Sequence, residues 1–233
     1  MKSKTKALLG MLALVLTVSA MAGQKIKPWT DWNKKDAEKI LNDSAWGQTQ
    51  TDTDTSEMTW STASRPIDGR GAMNQATSVT FFIRFLSAKP IRQAMARLAE
   101  LDPGHNTPQQ IQSARDFIDQ KFDQTVVVSV NYESKDGRFQ GPAFQALNSA
   151  ITNTLRNNTY LELKGGKRIF LQEYRPPTQG TAMFIFPRID NDKPILDPKS
   201  GDIRFWAEFP NRALTLNMRF KVADLMYNGV LEY

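Results

Sequence analysis

Apolar residues occupy every second position in several short segments of the chain, and a period of two is that of a β-strand. The clearest cases are 79–86 and 125–133, the second of which is rich in β-branched residues. In 214–222, five apolar residues alternate with four polar ones, which indicates a strand with one face exposed to water. We predict further strands at 57–64, 159–163, 167–174, 182–189 and 203–209.

Other segments carry apolar residues at the three- and four-residue spacing of an amphipathic helix. They predict helices at 28–46, 90–101, 107–122 and 141–155. The third begins with a capping box, with Thr107 at the N-cap and Gln110 three residues later. After the first helix, 48–56 contains only polar residues, so we predict that it is a loop.

The predicted helices cluster in the first two-thirds of the chain, and strands dominate the last third. This order is typical of the α+β class, in which helices cover one face of an antiparallel sheet. We expect the strands after Thr159 to form a C-terminal meander, with a hairpin at Gly165-Gly166. Because the chain has no internal repeat or low-complexity linker, we expect 23–233 to form a single α+β domain.

The N-terminal segment 1–22 has the pattern of a secretory signal peptide. Lysines precede an uncharged apolar run at 7–18, and Ala20-Met21-Ala22 supplies the small residues that signal peptidase recognises. Cleavage before Gly23 would give an exported chain, periplasmic or secreted. The alternative is an uncleaved anchor, but the apolar run is shorter than the ~20 residues that span a bilayer. No later segment is long and apolar enough to be a transmembrane helix.

Composition excludes several classes of function. The chain has no cysteine and one histidine, which rules out a thiol nucleophile, an iron–sulfur cluster and a cysteine or multi-histidine metal site. The formal charge is +6, but Lys2, Lys4 and Lys6 belong to the leader, which leaves +3 for the mature chain. A charge this small and dispersed does not indicate a partner that is a nucleic acid. We expect no cofactor.

Motifs for catalysis are weak. The chain has no Gly-x-Ser-x-Gly elbow and no phosphate-binding glycine loop. His105 directly precedes a helix start and is expected to be an exposed loop residue. Asp52, Asp54 and Ser56 follow the first ligand spacings of an EF-hand but the later positions fail, so we expect an acidic loop. A carboxylate pair for glycoside hydrolysis requires only spatial proximity. Its strand candidates are Glu133, Glu162, Glu173 and Glu208.

Two sets of residues are candidates for a binding surface. The first set is four arginines on predicted strands, Arg168, Arg188, Arg204 and Arg219. If their strands are neighbours, they form a cationic ridge for an anionic partner; alternatively, they pair with Glu173 or Glu208 on an ordinary exposed face. The second set is Trp29, Trp32 and Trp46. These indoles provide either an aromatic platform or the anchors that dock a polar helix onto the domain.

The stretch PWTDWNKKDAEKILNDSAWGQT at 28–49 resembles the start of a family of uncharacterised, exported bacterial proteins. A second similarity to that family is FLSAKPIRQA at 85–94. The resemblance implies an exported bacterial protein. It brings no known activity, so it assigns no role to any residue.

The sequence therefore predicts a non-enzymatic binding or assembly module whose partner is a protein or an anionic ligand of the cell envelope. The alternative is a hydrolase that uses a carboxylate pair in a cleft between the helices and the sheet. A shallow surface with clustered Arg or Trp would favour the module. Two carboxylates within about 10 Å of each other in a deep pocket would favour the hydrolase.

Overall fold

The computed structural model describes residues 27–54, 77–134, 137–178 and 180–233. Its helices are α1 (Lys34–Asn42), α2 (Lys89–Leu101), α3 (Pro108–Ile118), α4 (Gly137–Ser149) and α5 (Thr152–Leu155). The strands of the two large sheets are β1 (Gly47–Asp54), β2 (Thr77–Phe85), β3 (Thr125–Ser134), β4 (Thr159–Leu163), β5 (Arg168–Phe170), β6 (Glu173–Thr178), β7 (Thr181–Pro187), β10 (Asp202–Glu208) and β11 (Thr215–Lys221). Short pairs are made by β8 (Ile189–Asp190) with β9 (Lys193–Pro194) and by β12 (Met226–Tyr227) with β13 (Val230–Leu231).

The strands form two antiparallel sheets. The first sheet has five strands in the order β1-β2-β3-β7-β6, and the second has four in the order β11-β10-β4-β5. Helices pack against the first sheet, with α1 on β1 and β2 and α4 on β2, β3 and β6. The α+β class is thus confirmed. The strands after Thr159 are divided between the two sheets, whereas the sequence predicted one continuous meander.

Aromatic side chains fill the space between the two sheets. Phe205 of the second sheet packs edge-on against Phe184 of the first, with ring centroids 5.2 Å apart. Phe85 and Phe220 make a second contact across the interface at 4.7 Å. These side chains are at most 1% exposed. The inner faces therefore form one apolar core, and the opposite face of each sheet is left to other interactions.

Strand β1 replaces the loop that the sequence predicted at 48–56. This prediction was wrong because β1 has no apolar alternation and is held by its backbone, which pairs with residues 77–84 of β2. The side chain of Gln50 then crosses to the second sheet, where it donates to the Thr215 carbonyl (2.9 Å) and accepts from the Asn217 N–H (2.8 Å). One amide therefore joins an edge of each sheet.

The helix boundaries follow from local capping. α3 begins at the predicted capping box of Thr107 and Gln110. α1 begins at a second capping box, Asn33 with Asp36, and is therefore shorter than the helix predicted at 28–46. The predicted helix at 141–155 is two helices, α4 and α5. The predicted strand at 57–64 and the signal peptide lie outside the described residues.

The last eight residues lie against the start of α2. Trp46 donates its indole N–H to the Glu232 carbonyl (2.9 Å) and packs edge-on against Tyr227. The Glu232 carboxylate accepts from the Lys89 N–H (2.9 Å) and so caps α2, whose N-cap Ala88 has no side-chain oxygen. Trp46 is 6% exposed, so its indole packs inside the protein and is not part of an exposed aromatic platform.

The buried Arg92 and the partly buried Arg84 hold the helices in place. Arg92, 4% exposed, donates to the backbone carbonyls of Ile118 and Leu86 and lies over the Phe122 ring. Arg84 donates to the Leu41 carbonyl and to the Asn42 side chain at the end of α1. Burial lowers the pKa of Arg84 to about 10, which leaves it charged at neutral pH.

Candidate functional site

The outer face of the second sheet brings three of the four candidate arginines into line. Arg204 on β10 is directly opposite Arg219 on β11 and, on its other side, opposite Glu162 on β4. Glu162 is in turn opposite Arg168 on β5. Directly paired residues of an antiparallel sheet point to the same face, so these side chains form one row. We call Arg168, Arg204 and Arg219 the arginine row.

Aromatic residues form a second row beside the first. On the same three strands, two residues away from Arg204, Glu162 and Arg168, lie three aromatic residues. Trp206 is opposite Tyr160, and Tyr160 is opposite Phe170. The Trp206 and Tyr160 rings are nearly parallel (18°), with centroids 6.5 Å apart, and Phe170 meets Tyr160 edge-on at 5.9 Å. We call these three residues the aromatic row.

The rings hold two of the guanidinium groups in place. The Arg204 Cζ lies 4.6 Å from the Trp206 ring centroid, and the Arg168 Cζ lies 4.3 Å from that of Tyr160. Stacking on an aromatic face removes water from one side of the guanidinium plane and fixes its orientation. Arg204 and Arg168 are therefore oriented before any ligand arrives, which reduces the entropy lost on binding.

Acidic and amide groups separate the arginines. Arg168 Nε lies 3.1 Å from one Glu162 oxygen, and Arg204 Nη1 lies 3.9 Å from the other. Arg204 Nε donates to the Asn217 amide oxygen (2.7 Å), and Arg219 Nη1 is 3.9 Å from Asp202. The pairing alternative raised from sequence therefore holds in part, with Glu162 and Asp202 as the partners in place of Glu173 and Glu208.

The arginine row borders a pocket of about 400 Å³, which we call the hairpin pocket. The β4–β5 turn at 163–166 forms one wall, Gly201 and Asp202 form another, and Glu162, Arg204 and Arg219 complete it. Gly165 and Gly166 have φ of +90° and +86°, a conformation that glycine adopts without strain. Side chains of Arg219 and Asp202 are 67% and 52% exposed, so the pocket is open to water.

Arg188, the fourth candidate, lies elsewhere. It follows β7 and donates twice to the Tyr233 carbonyl, at 2.9 and 2.7 Å, with its Cζ 3.9 Å from the Tyr233 ring centroid. Burial lowers its pKa from the usual value. The expected ridge of four arginines is thus a row of three, and Arg188 has a structural role.

The tryptophan candidates also separate. Trp32 is 3% exposed, and its indole N–H donates to the Lys27 carbonyl. Trp29 is half-buried and lines an open groove of about 560 Å³ between α2 and α3. Two charged residues of that groove, Lys89 and Asp119, pair with each other at 2.9 Å. Trp32 is therefore an anchor, and Trp29 alone of this pair faces a groove.

The remaining chemical candidates are dispersed. Glu133 and Glu173 lie on the first sheet, and Glu162 and Glu208 on the second. His105 is exposed between α2 and α3, where its bond to the Asp102 carboxylate raises the pKa of the imidazole. Within the described ranges no group of acidic or histidine side chains is arranged to hold a metal ion. Asp52 and Asp54 lie on strand β1 and not in a loop; Ser56 is outside those ranges.

Comparison with family models, curated proteins and solved structures finds no match to this chain. In the part of the chain that the structure describes, no helix has the length and apolar character needed to cross a membrane.

The aromatic row and Glu162 were not singled out as a binding surface from sequence. For Trp206, the sequence of β10 contains the relevant pattern, because Arg204, Trp206 and Glu208 alternate with buried residues. Alternation assigns these side chains to the outer face. It does not show that β4 and β5 pair beside β10, and this pairing is what assembles the two rows.

Proposed function

We propose that the protein is an exported, non-enzymatic binding module that holds an anionic ligand of the cell envelope on the outer face of the second sheet. The observation that carries the proposal is the arginine row, in which side chains from three strands are aligned and two are held on aromatic rings. Guanidinium groups bind carboxylate, sulfate and phosphate oxygens through paired N–H donors.

In the two stacked arginines, the terminal nitrogens carry the N–H donors that remain for a ligand. Arg168 and Arg204 each use Nε for an internal bond, to Glu162 and Asn217 respectively. A guanidinium has five N–H donors, so most remain for a ligand or for water. An oxyanion at the row exchanges weakly held water for charge-assisted hydrogen bonds.

A hydrolase is the second candidate because Glu162 and Asp202 both line the hairpin pocket. A glycosidase needs one carboxylic acid that donates a proton and one carboxylate. Both of these carboxylates have a guanidinium within 4 Å, so each is already engaged with an arginine of the row. The pocket is also open to water. These features support binding over hydrolysis.

The test compares three soluble polyanions: hyaluronan oligosaccharides, poly-L-glutamate and a thymidine oligonucleotide. We expect at least one to bind, and the double variant Arg168→Gln/Arg219→Gln to weaken that binding at least tenfold. Each lost charge-assisted hydrogen bond contributes about 1.5–3 kcal/mol, and tenfold corresponds to about 1.4 kcal/mol. Isothermal titration calorimetry at fixed salt gives the affinities.

Arg175→Gln is the matched control. Arg175 is similarly exposed and is also paired with a strand glutamate, Glu173, but it lies on the first sheet. It should leave the affinity within twofold of the unchanged protein. Equal losses in both variants, or no binding to any polyanion, would contradict the proposal. Release of new reducing ends from the hyaluronan would instead support the hydrolase.

Export rests on the N-terminal pattern and on the resemblance of 28–49 to exported bacterial proteins. We expect the chain, when expressed in a Gram-negative host, to be recovered from the periplasm or medium with Gly23 as its first residue. N-terminal sequencing of each cell fraction checks this. Recovery of the uncleaved chain in membranes alone would show an anchor.

A further inference from the structure

We infer that the ligand of the arginine row is a linear acidic carbohydrate in which charged and neutral sugars alternate. This inference rests on the proposed function and specifies its ligand. It follows from three features of the same face: the acidic residues within the row, the exposed Phe170 and half-buried Trp206 rings beside it, and the order of its arginines across the strands.

The acidic residues distinguish ligands that donate hydrogen bonds from those that only accept them. Glu162 lies between Arg204 and Arg168, and Asp202 lies beside Arg219. A carboxylate accepts hydrogen bonds and repels a second anion. A ligand that only presents phosphates is therefore penalised at the centre of the row. Sugar hydroxyls donate to Glu162 while an acidic group on a neighbouring sugar is bound by an arginine.

The aromatic row supplies the apolar contact that a sugar ring requires. Phe170 is 47% exposed, and Trp206 is half-buried on the same face. The negative face of an aromatic ring attracts polarised C–H groups, which line one side of many pyranose rings. Cationic and aromatic contacts are therefore available side by side, as an acidic glycan needs. An anionic polypeptide would use the arginines but has no comparable ring to place on Phe170 at each repeat.

The order of the arginines across the sheet fits alternating charge. Arg204 and Arg168 lie on β10 and β5, with Glu162 of β4 between them, and Arg219 lies on β11 directly beside Arg204. A ligand that contacts Arg168 on one side and Arg204 and Arg219 on the other carries anionic groups on both sides of Glu162, with an uncharged segment over Glu162. A linear chain of alternating acidic and neutral sugars has this pattern.

The inference is tested with protein purified from cells that express the full chain. Hyaluronan oligosaccharides are the probe, because a carboxylate occurs on every second sugar. We expect them to bind at least tenfold more tightly than poly-L-glutamate or the thymidine oligonucleotide at the same salt concentration. Their methyl-esterified form, which keeps the rings and loses the charge, should bind at least tenfold more weakly.

Two variants separate a carbohydrate from a general polyanion. Phe170→Ala should weaken hyaluronan binding about fivefold, whereas Phe144→Ala, which removes a similarly exposed phenylalanine (53%) from α4, should not. Glu162→Ala should weaken hyaluronan binding, because a hydroxyl acceptor is lost. The same change should strengthen any residual binding of poly-L-glutamate, because a repulsive charge is lost. Thermal melting of each variant verifies that it folds.

The outcomes distinguish this inference from the proposed function. If the arginine row binds the polypeptide or the oligonucleotide most tightly, the binding function holds and the carbohydrate inference fails. Stronger hyaluronan binding by Glu162→Ala would also overturn the inference. If no probe depends on the arginine row, both fail.

Discussion

Replacing Phe205 by alanine is expected to lower the free energy of unfolding by about 3–5 kcal/mol, the range measured when a buried aromatic is truncated. Phe205 is fully buried between the sheets and meets both Phe184 (5.2 Å) and Phe186 (6.2 Å). Its removal leaves a cavity beside these two rings, which both lie on β7 of the first sheet. Urea denaturation followed by tryptophan fluorescence measures the loss, provided that the slope with urea is unchanged.

Phe170→Ala is the control for this prediction. It removes the same side chain from the same sheet, but on the outer face, where Phe170 is 47% exposed. We expect a loss of about 1 kcal/mol or less, mainly from the edge-on contact with Tyr160. Similar losses for both variants would show that the second sheet does not pack on the first through Phe205.

The second large effect is expected for Trp32→Ala, again about 3–5 kcal/mol. Trp32 is 3% exposed, and its indole N–H bonds to the Lys27 carbonyl at 3.1 Å. The backbone carbonyl of Trp32 accepts from Arg97 Nε of α2, so Trp32 lies where the N-terminal segment meets the helices. Its buried indole holds the segment at that point. Urea denaturation again gives the loss, and affinity for polyanions should be unchanged where the variant is folded.

Trp29→Ala provides the comparison for Trp32. Trp29 is half-buried against the same core, so its loss should cost less, about 1–2 kcal/mol. Normal stability of Trp32→Ala together with abolished ligand binding would reverse the assignment and make the N-terminal indoles part of the site.

The sequence predicted the elements that have a strong local signal. Strand β2 and strand β11 alternate apolar and polar residues, and the alternation places Phe81 inward and Arg219 outward, as the structure shows. The capping box at Thr107 and Gln110 set the start of α3 because both hydrogen bonds lie within four residues. In such segments the local pattern is sufficient.

The errors arise where the stabilising contact is distant in sequence. Strand β1 has no apolar residue after Gly47 and exists because β2 pairs with it and Gln50 reaches β11. Arg188 lies in a segment that reads as a surface strand, but its side chain donates to the carbonyl of Tyr233, 45 residues away. Residues such as these carry no local sign of their partner, so no periodicity could have shown their role.

Some features of the candidate site likewise follow from the local sequence, and others depend on contacts between distant segments. The sequence by itself determined a cysteine-free chain, its α+β class and the positions of Arg168, Arg204 and Arg219 on strands. Only the tertiary structure decided that β5, β4, β10 and β11 are neighbours in that order, with a register that aligns the arginines around Glu162 and stacks two of them on aromatic rings. Alternation fixes the face on which a side chain lies, because the pleat repeats every two residues. The neighbours on that face depend on pairing between segments far apart in the chain, which is set by the packing of the whole core.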